Sequence, residues 1–512
     1  MRSSGSIAWA QTGRFITVPH IAALAFLVLT VATAGNYGFF GDELYYIACS
    51  KHLEFGYVDH PPMVALLALL SRTVFGETLI GLRFFAGLAG AVTVLLSGQI
   101  ARKLGGGSFA ESLAALAVCL APGFPALSSF FSMNPFDVMM CTLTILLLLG
   151  VDDATPPRQW IIIGVVLGLG LLNKYTFLSF GLALLLGLLT SQQRALLRVP
   201  WIYLSAGIAL LMFIPHILWQ VSHDWPTLEF MSNVTRHKNL SLSPVEFGSQ
   251  LILLLNPVAL PLWIAGIIYL LFSQRTQGYR FLGWTAILFV VIYLLQNAKS
   301  YYILPMFPFL LASGATATDR FIQKTTSRWV KPAILAPLVI SGFLLLPLAA
   351  PVLPVETFVS YSKSLGLWNA IRMETWEGDK LPLHYVHRFG WEELVEKASH
   401  IYHRLPEEER QRCAIMGSWY GPAGAIDHYG PKLGLPPAIS GRNSYWLWGP
   451  GRYSGEIVIA LEFDPDHLKE YFGEVEELAQ VRHPYGVTRT ILLCRKPKAP
   501  MKEMWPHLKN YI

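Results

Sequence analysis

TVPHIAALAFLVLTVATAGNYGFFGDELYY, residues 17–46, sets a long apolar run directly against two adjacent carboxylates, Asp42 and Glu43. About 20 apolar residues suffice to span the hydrocarbon core, so the run reads as a first membrane span that ends in charge. Further runs fall near 82–101, 109–127, 134–151, 159–173, 176–190, 200–219, 249–272, 280–297, 301–317 and 332–350, giving about eleven spans. Of the 512 residues, 53% are hydrophobic and 14% charged, with a mean hydropathy of +0.44. Soluble proteins carry about 25% charged residues. The fold class expected is therefore a polytopic α-helical membrane protein with water-soluble mass attached.

The loops supply an orientation. One alternate set carries Arg2 and Arg14, then Arg102 and Lys103, Arg158, Arg194 and Arg198, Arg275 and Arg280, and finally Arg320, Lys324, Arg328 and Lys331. By the positive-inside rule this set is cytoplasmic. The other set holds residues 40–80, 128–134, Lys174, 220–248 and Lys299. An odd number of spans puts the C-terminal region on that outer side. The expected division is 1–354 for the membrane domain and 355–512 for an extracytoplasmic α/β domain, with strand-like stretches at 412–417, 457–461 and 488–494 and a helix over 391–404. Topology accounts for the net charge of +6, and nucleic acid is not implied. The Ile21–Ala34 run has no clear cleavage site after it and does not read as a cleaved signal.

Five cysteines are scattered without metal-type spacing. Cys119 and Cys141 lie in apolar runs and read as inert; Cys413 and Cys494 share the tail, where an oxidising compartment would permit a bridge. No glycine pattern matches a nucleotide fingerprint. In the tail, 417–429 and 440–449 are dense in Gly, Trp and Tyr, which fits loop packing slightly better than sugar binding.

Chemistry concentrates in the outer loops. After Asp42 and Glu43 come Tyr45, Tyr46, Leu53, Phe55 and Tyr57, read as lying along the membrane surface. Asp59-His60-Pro61-Pro62-Met63 follows, with Val64–Leu70 as an interfacial helix opened by the prolines. Two adjacent carboxylates repel, and one with a raised pKa at the membrane face suits general-base work. Helix capping by Asp42 explains the pair as well from composition alone. Asn134 and Asp137 open the fourth span, as a cap or as a charged wall of a polar site. Lys174 sits between two apolar runs against the positive-inside trend, and lysine suits phosphate. Lys299, Tyr301 and Tyr302 open the tenth span, as a second cation with hydroxyl donors or as a simple aromatic belt. Arg236, His237 and Lys238 form a basic rim for anionic groups. His223, Asp224 and His237 are metal-type donors at undiagnostic spacing, so no cofactor is assigned and a divalent metal stays open. Asn233 and Asn239 begin glycosylation sequons.

Asp-Glu after the first span, Val58-Asp59-His60-Pro61-Pro62-Met63, Asn134-Pro135-Phe136-Asp137, Asn173-Lys174-Tyr175 and Lys299–Pro305 resemble, in order, the outer-loop elements of the protein O-mannosyltransferases, the lipid A aminoarabinose transferases and the family 39 glycosyltransferases. Met63 stands where those proteins have Leu. The resemblance covers about the first 320 residues. It implies a GT-C fold in a bacterial inner membrane and a sugar donor linked to polyprenyl phosphate. The acceptor implied is a lipid, glycan or protein. It also implies Asp42 as catalytic base, Glu43 in substrate contact, and Lys174 and Lys299 on the donor phosphate. The competing class is a transporter or flippase of lipid-linked sugars, and a third is an assembly protein in which these residues are replaceable. Transporters tend to carry repeats and midplane polar residues, whereas here the polar residues gather at one face.

Overall fold

The structure, a computed structural model, describes residues 16–238, 242–325, 327–367 and 381–512. Arg2, Arg14 and the Asn239 sequon lie outside the described residues. In chain order the membrane part contains α1 (Val18–Ala32), α2 (Gly41–Lys51), α3 (Met63–Phe75), α4 (Leu79–Lys103), α5 (Ser108–Cys119), α6 (Gly123–Ser128), α7 (Met133–Leu148), α8 (Pro157–Asn173) and α9 (Thr176–Leu189). It continues with α10 (Pro200–Ser222), α11 (Pro226–His237), α12 (Pro244–Leu254), α13 (Leu260–Phe272), α14 (Arg280–Leu295), α15 (Phe307–Ile322) and α16 (Val330–Ala349).

Each apolar run is helical, but the count of eleven spans does not follow from helix length. Among the described residues four helices are long and apolar enough to cross, or six if two sharply bent pairs each count as one span. One bend, of 100°, separates α12 from α13. It falls where Asn256 takes a φ of +67° and Pro257 lacks the N–H that would continue a helix. α5, with 12 residues, covers about 18 Å at 1.5 Å per residue, short of a bilayer core of about 30 Å.

α4, with 25 residues, is about 37 Å long and fixes the two ends of the bundle. At its C-terminal end Lys103 donates to the Leu146 and Leu149 carbonyls that close α7 (3.2 and 3.1 Å), where a cation offsets the helix dipole. Arg102 pairs with Glu111 at 2.7 Å, Arg320 donates to the Gly105 carbonyl at 3.0 Å, and Lys331 lies over the Phe109 ring. Basic residues read as one set of loops thus gather at one end. The N-terminal end of α4 faces residues 34–43, 129–134 and 388, through Arg83 and its neighbours.

The C-terminal part is built on a mixed five-stranded sheet of order β2-β1-β3-β5-β4: β1 (Cys413–Gly417), β2 (Ile439–Ser440), β3 (Ile457–Leu461), β4 (Phe472–Val481) and β5 (Arg489–Pro497). β1, β3, β5 and the helix Trp391–Arg404 coincide with the stretches expected from sequence. β1 and β3 are buried throughout, which explains their continuous apolar runs. One sheet edge, β2, is two residues long; the other, β4, exposes Glu474, Glu476 and Glu477 and slips register between Glu477 and Ala479.

No disulfide joins Cys413 to Cys494; both are free and buried. Cys413 pairs with Ile457 while Cys494 pairs with Val458, so they point to opposite faces of the sheet. That geometry rules the bridge out.

One sheet face shares its core with the membrane part. Phe39, Leu44, Tyr45, Val64, Leu82 and Phe131 pack in one cluster with Trp391, Leu394, Ile415, Ala423, Ile459 and Leu493. The region beyond residue 355 is therefore seated on α2 and α3 by an apolar junction, which burial makes favourable at roughly 25 cal/mol per Å².

Candidate active site

α2 begins at Gly41, and its first turn carries both carboxylates in different surroundings. Neither is the N-cap residue, which is Phe40. Glu43 is fully buried. Its Oε1 accepts from Arg83 Nε (2.9 Å) and the Phe131 amide (2.7 Å), and its Oε2 from Arg83 Nη2 (2.7 Å) and the Phe40 amide (2.8 Å). Arg83, itself buried, also donates to the carbonyls of Ala34 and Gly38 (2.6 and 2.7 Å). Burial pushes the Glu43 carboxyl up, but Arg83, then Arg388 and the Phe131 amide, outweigh this and hold it below the usual carboxylate range. The bidentate pair staples α2, α4 and the α6–α7 connection together.

Asp42 faces the C-terminal sheet. It is half-buried, and Tyr420 Oη donates to its Oδ1 at 3.0 Å. Burial, then the Asp42 charge, drives the Tyr420 phenol well above its ordinary range, so it stays a donor. Tyr420 stacks on Tyr45 with ring centroids 4.6 Å apart. The Tyr45 hydroxyl donates to Asp59 Oδ1 at 2.8 Å and lies 2.8 Å from Ser444 Oγ, which accepts from the Val58 amide at 3.2 Å. Close approach makes this possible: a Cβ at Gly41 would stand 2.6 Å from the Trp419 ring, and one at Gly424 3.0 Å from Leu44. His60 is fully buried and donates from Nδ1 to the Pro61 carbonyl at 2.8 Å; burial lowers its pKa against the pull of Asp59. Tyr45, Tyr46 and Tyr57 ring this histidine rather than lying along a membrane surface, whereas Leu53 and Phe55 are exposed. The difference arises because the C-terminal part covers the loop.

A second cluster forms where α7 meets the α8–α9 turn. Lys174 Nζ donates to Asn134 Oδ1 at 2.7 Å and lies 3.9 Å from Asp137 Oδ2. It also lies 4.1 Å from the centre of the Tyr302 ring and 5.8 Å from that of Tyr301. Thr176 donates to Asp137 Oδ1 at 2.6 Å. The helix cap here is Ser132, whose hydroxyl accepts from the Asn134 amide and from its side-chain Nδ2 (3.3 and 3.0 Å), while the Asn134 side-chain oxygen accepts from the lysine. Tyr301 and Tyr302 lie in a 3₁₀ turn, Ser300–Met306, directly after Lys299.

Tyr175 ties the two clusters together. Its hydroxyl donates to His216 Nε2 at 2.8 Å, and His216 Nδ1 donates to the Phe55 carbonyl at 2.9 Å, in the loop that carries Asp59 and His60. Asp42, Glu43, Asp59, His60, Asn134, Asp137, Lys174, Tyr301 and Tyr302, four distant stretches of sequence, therefore gather at one end of the bundle. Arg236 and His237 are exposed on the last turn of α11, a helix held to the chain end by Glu229–Lys509 (2.6 Å) and by Asn233, which donates to the Tyr511 carbonyl (2.8 Å). Among the described residues no group of three or more His, Cys, Asp or Glu is gathered for a metal. Sequence reasoning missed Arg83, Tyr420 and Ser444. An arginine inside an apolar run was a readable signal for the first; the other two open the helices Tyr420–Tyr429 and Ser444–Trp448, in stretches read as packing.

Residues 59–219 match the pattern of the dolichyl-phosphate-mannose-protein mannosyltransferase family. The lipid A galacturonosyltransferase RgtD of Rhizobium johnstonii is 22% identical over 271 residues, 51% of this chain and 56% of that protein. The chain thus spans little more than half the length of this relative. The crystal structure of ArnT from Cupriavidus metallidurans bound to undecaprenyl phosphate shares the fold with a TM-score of 0.62 at 16% identity, over 92% of this chain and 97% of the other. The apo state of ArnT gives 0.58 over the same shares. The likeness to ArnT is one of fold, the family pattern covers residues 59–219, and RgtD is matched over about half its length.

Proposed function

We propose that this chain moves a sugar from a polyprenyl-phosphate donor to a lipid, glycan or protein acceptor at the extracytoplasmic face of the inner membrane. The observation that carries the reading is the gathering of an acidic cluster around Asp42 and a cationic, aromatic cluster around Lys174 at one end of the bundle. The opposite end holds Arg102, Lys103, Arg320 and Lys331, which supports its assignment to the cytoplasm.

In this mechanism Asp42 takes the proton from an acceptor hydroxyl or amine. The freed lone pair attacks the anomeric carbon, the bond from that carbon to the phosphate oxygen breaks, and polyprenyl phosphate leaves. Lys174 and Lys299, with the Tyr301 and Tyr302 hydroxyls, meet the charge that grows on the phosphate. Attack from the face opposite the leaving group inverts the anomeric centre. Glu43, with its four donors, holds the turn that presents Asp42. A cationic phosphate site shielded from water acts more strongly than it would in solution.

The test is the intact protein in proteoliposomes, supplied with undecaprenyl-phosphate-linked aminoarabinose or galacturonate and with lipid A. The expected result is a modified lipid A of inverted configuration and stoichiometric release of undecaprenyl phosphate. Equal movement of donor across the bilayer without any bond change would favour a flippase and remove the transfer reading.

A further inference from the structure

Tyr420 does not come from the membrane part, yet its hydroxyl donates to the Asp42 carboxylate at 3.0 Å. Its placement is fixed from behind. The neighbouring Trp419 indole donates to Glu462 Oε2 at 2.8 Å, Glu462 is paired with the buried Arg489, and Arg489 lies 3.4 Å over the Trp391 ring. The Trp419 ring also meets the backbone of Gly41, where α2 begins. In front, the stacked Tyr45 ring holds the Tyr420 ring, and Tyr45 is anchored by Asp59 and by Ser444. The starts of two helices of the C-terminal part, Tyr420–Tyr429 and Ser444–Trp448, therefore close on the first turns of α2.

We infer that Tyr420 is a positioning residue for Asp42: its hydroxyl grips one carboxylate oxygen and sets the plane of the carboxylate, so that the base is assembled only when the C-terminal domain is seated. This rests on the reading of Asp42 as the base. A hydrogen bond to the charged form also sets the acidity of the group. The charged and titratable groups around it are Tyr46 on the same helix, Asp59 and His60 on the following loop, Arg442 and Tyr420 from the C-terminal domain, and the Glu43–Arg83 pair with Arg388 behind.

The test uses the full chain and needs no substrate. The carboxyl stretching band of Asp42, identified in infrared pH titrations as the band absent from Asp42→Asn, is followed in Tyr420→Phe. Loss of one donor, worth about 1 kcal/mol, raises the midpoint by about half to one unit. A second protein carrying 3,5-difluorotyrosine at position 420, a stronger donor of nearly the same shape, shifts the midpoint the other way. Opposite shifts in the two proteins bear the inference out. An unmoved midpoint in the difluorotyrosine protein overturns it, and this holds even if Tyr420→Phe fails to fold. Transfer from polyprenyl-phosphate galacturonate to lipid A is read separately. A shifted band without transfer leaves the positioning intact and removes the proposed reaction.

Discussion

On the bundle side of α2, Glu43 accepts four hydrogen bonds in a place water does not reach. On the side facing the C-terminal sheet Asp42, one residue earlier, keeps partial exposure and accepts a hydrogen bond from a tyrosine. Successive helix positions lie about 100° apart, at 3.6 residues per turn, which is enough to send two identical chemistries into two environments. The inner one is neutralised by a guanidinium and holds three segments together. The outer one sits where a second element, the Tyr420–Tyr429 helix, approaches it.

The sharpest way to break this contrast is to remove the inner partner. Glu43→Ala leaves the Arg83 guanidinium buried without its carboxylate, and such a change costs about 3–5 kcal/mol. The expected outcome is a large drop in thermal midpoint in detergent, and a wild-type midpoint would show that the pair is dispensable. Asp42→Asn should do the opposite: the same melting curve, with transfer reduced by about 10²–10⁴-fold, the usual share of a general base. Near-normal turnover from that folded variant would remove Asp42 as the base. Lys174→Met comes next, with kcat lower by about 10²–10³-fold if its ammonium meets the leaving phosphate; a change in melting alone would mark it as the structural partner of Asp137.

The smallest effect concerns how firmly the outer side is closed. Glu77 lies 3.3 Å from His428 Nδ1 and 3.0 Å from both Lys51 and Arg72. The His428 ring first, then Lys51 and Arg72, hold its carboxyl down to about 2 against burial. The folded pKa is thus below the unfolded one of about 4.3. The contribution is present above that value and fades as pH falls through about 2. Because the pair is partly solvated, it amounts to about 1 kcal/mol. Protection over Tyr420–Tyr429, taken relative to the intrinsic exchange rate at each pH, should fall across this window, and Glu77→Gln should abolish the change.

Much of the membrane part was readable because lipid demands long apolar runs, and those runs became helices. Span number was less readable, since a run interrupted at Asn256-Pro257 looks continuous in hydropathy while its helix turns through 100°. Within the site, Asp42, Lys174, Asn134 and Tyr302 were legible because polar groups at the edge of an apolar run need a reason to be there. Tyr420 and Ser444 lie more than 370 residues from Asp42, in stretches whose Gly and aromatic content fits ordinary packing slightly better than sugar binding. Only the seating of the sheet on α2 reveals which contacts they make. The cysteine pair failed for a related reason: strand residues alternate faces, and the pairing register, hidden in the sequence, sent Cys413 and Cys494 apart.

The rims of that sheet carry a further consequence. A two-residue strand offers too little ladder to template another chain, and a kinked strand studded with glutamates repels its own copy. An open sheet edge is a template on which a second copy can pair its own strand. Both margins of this sheet are blunted against such pairing.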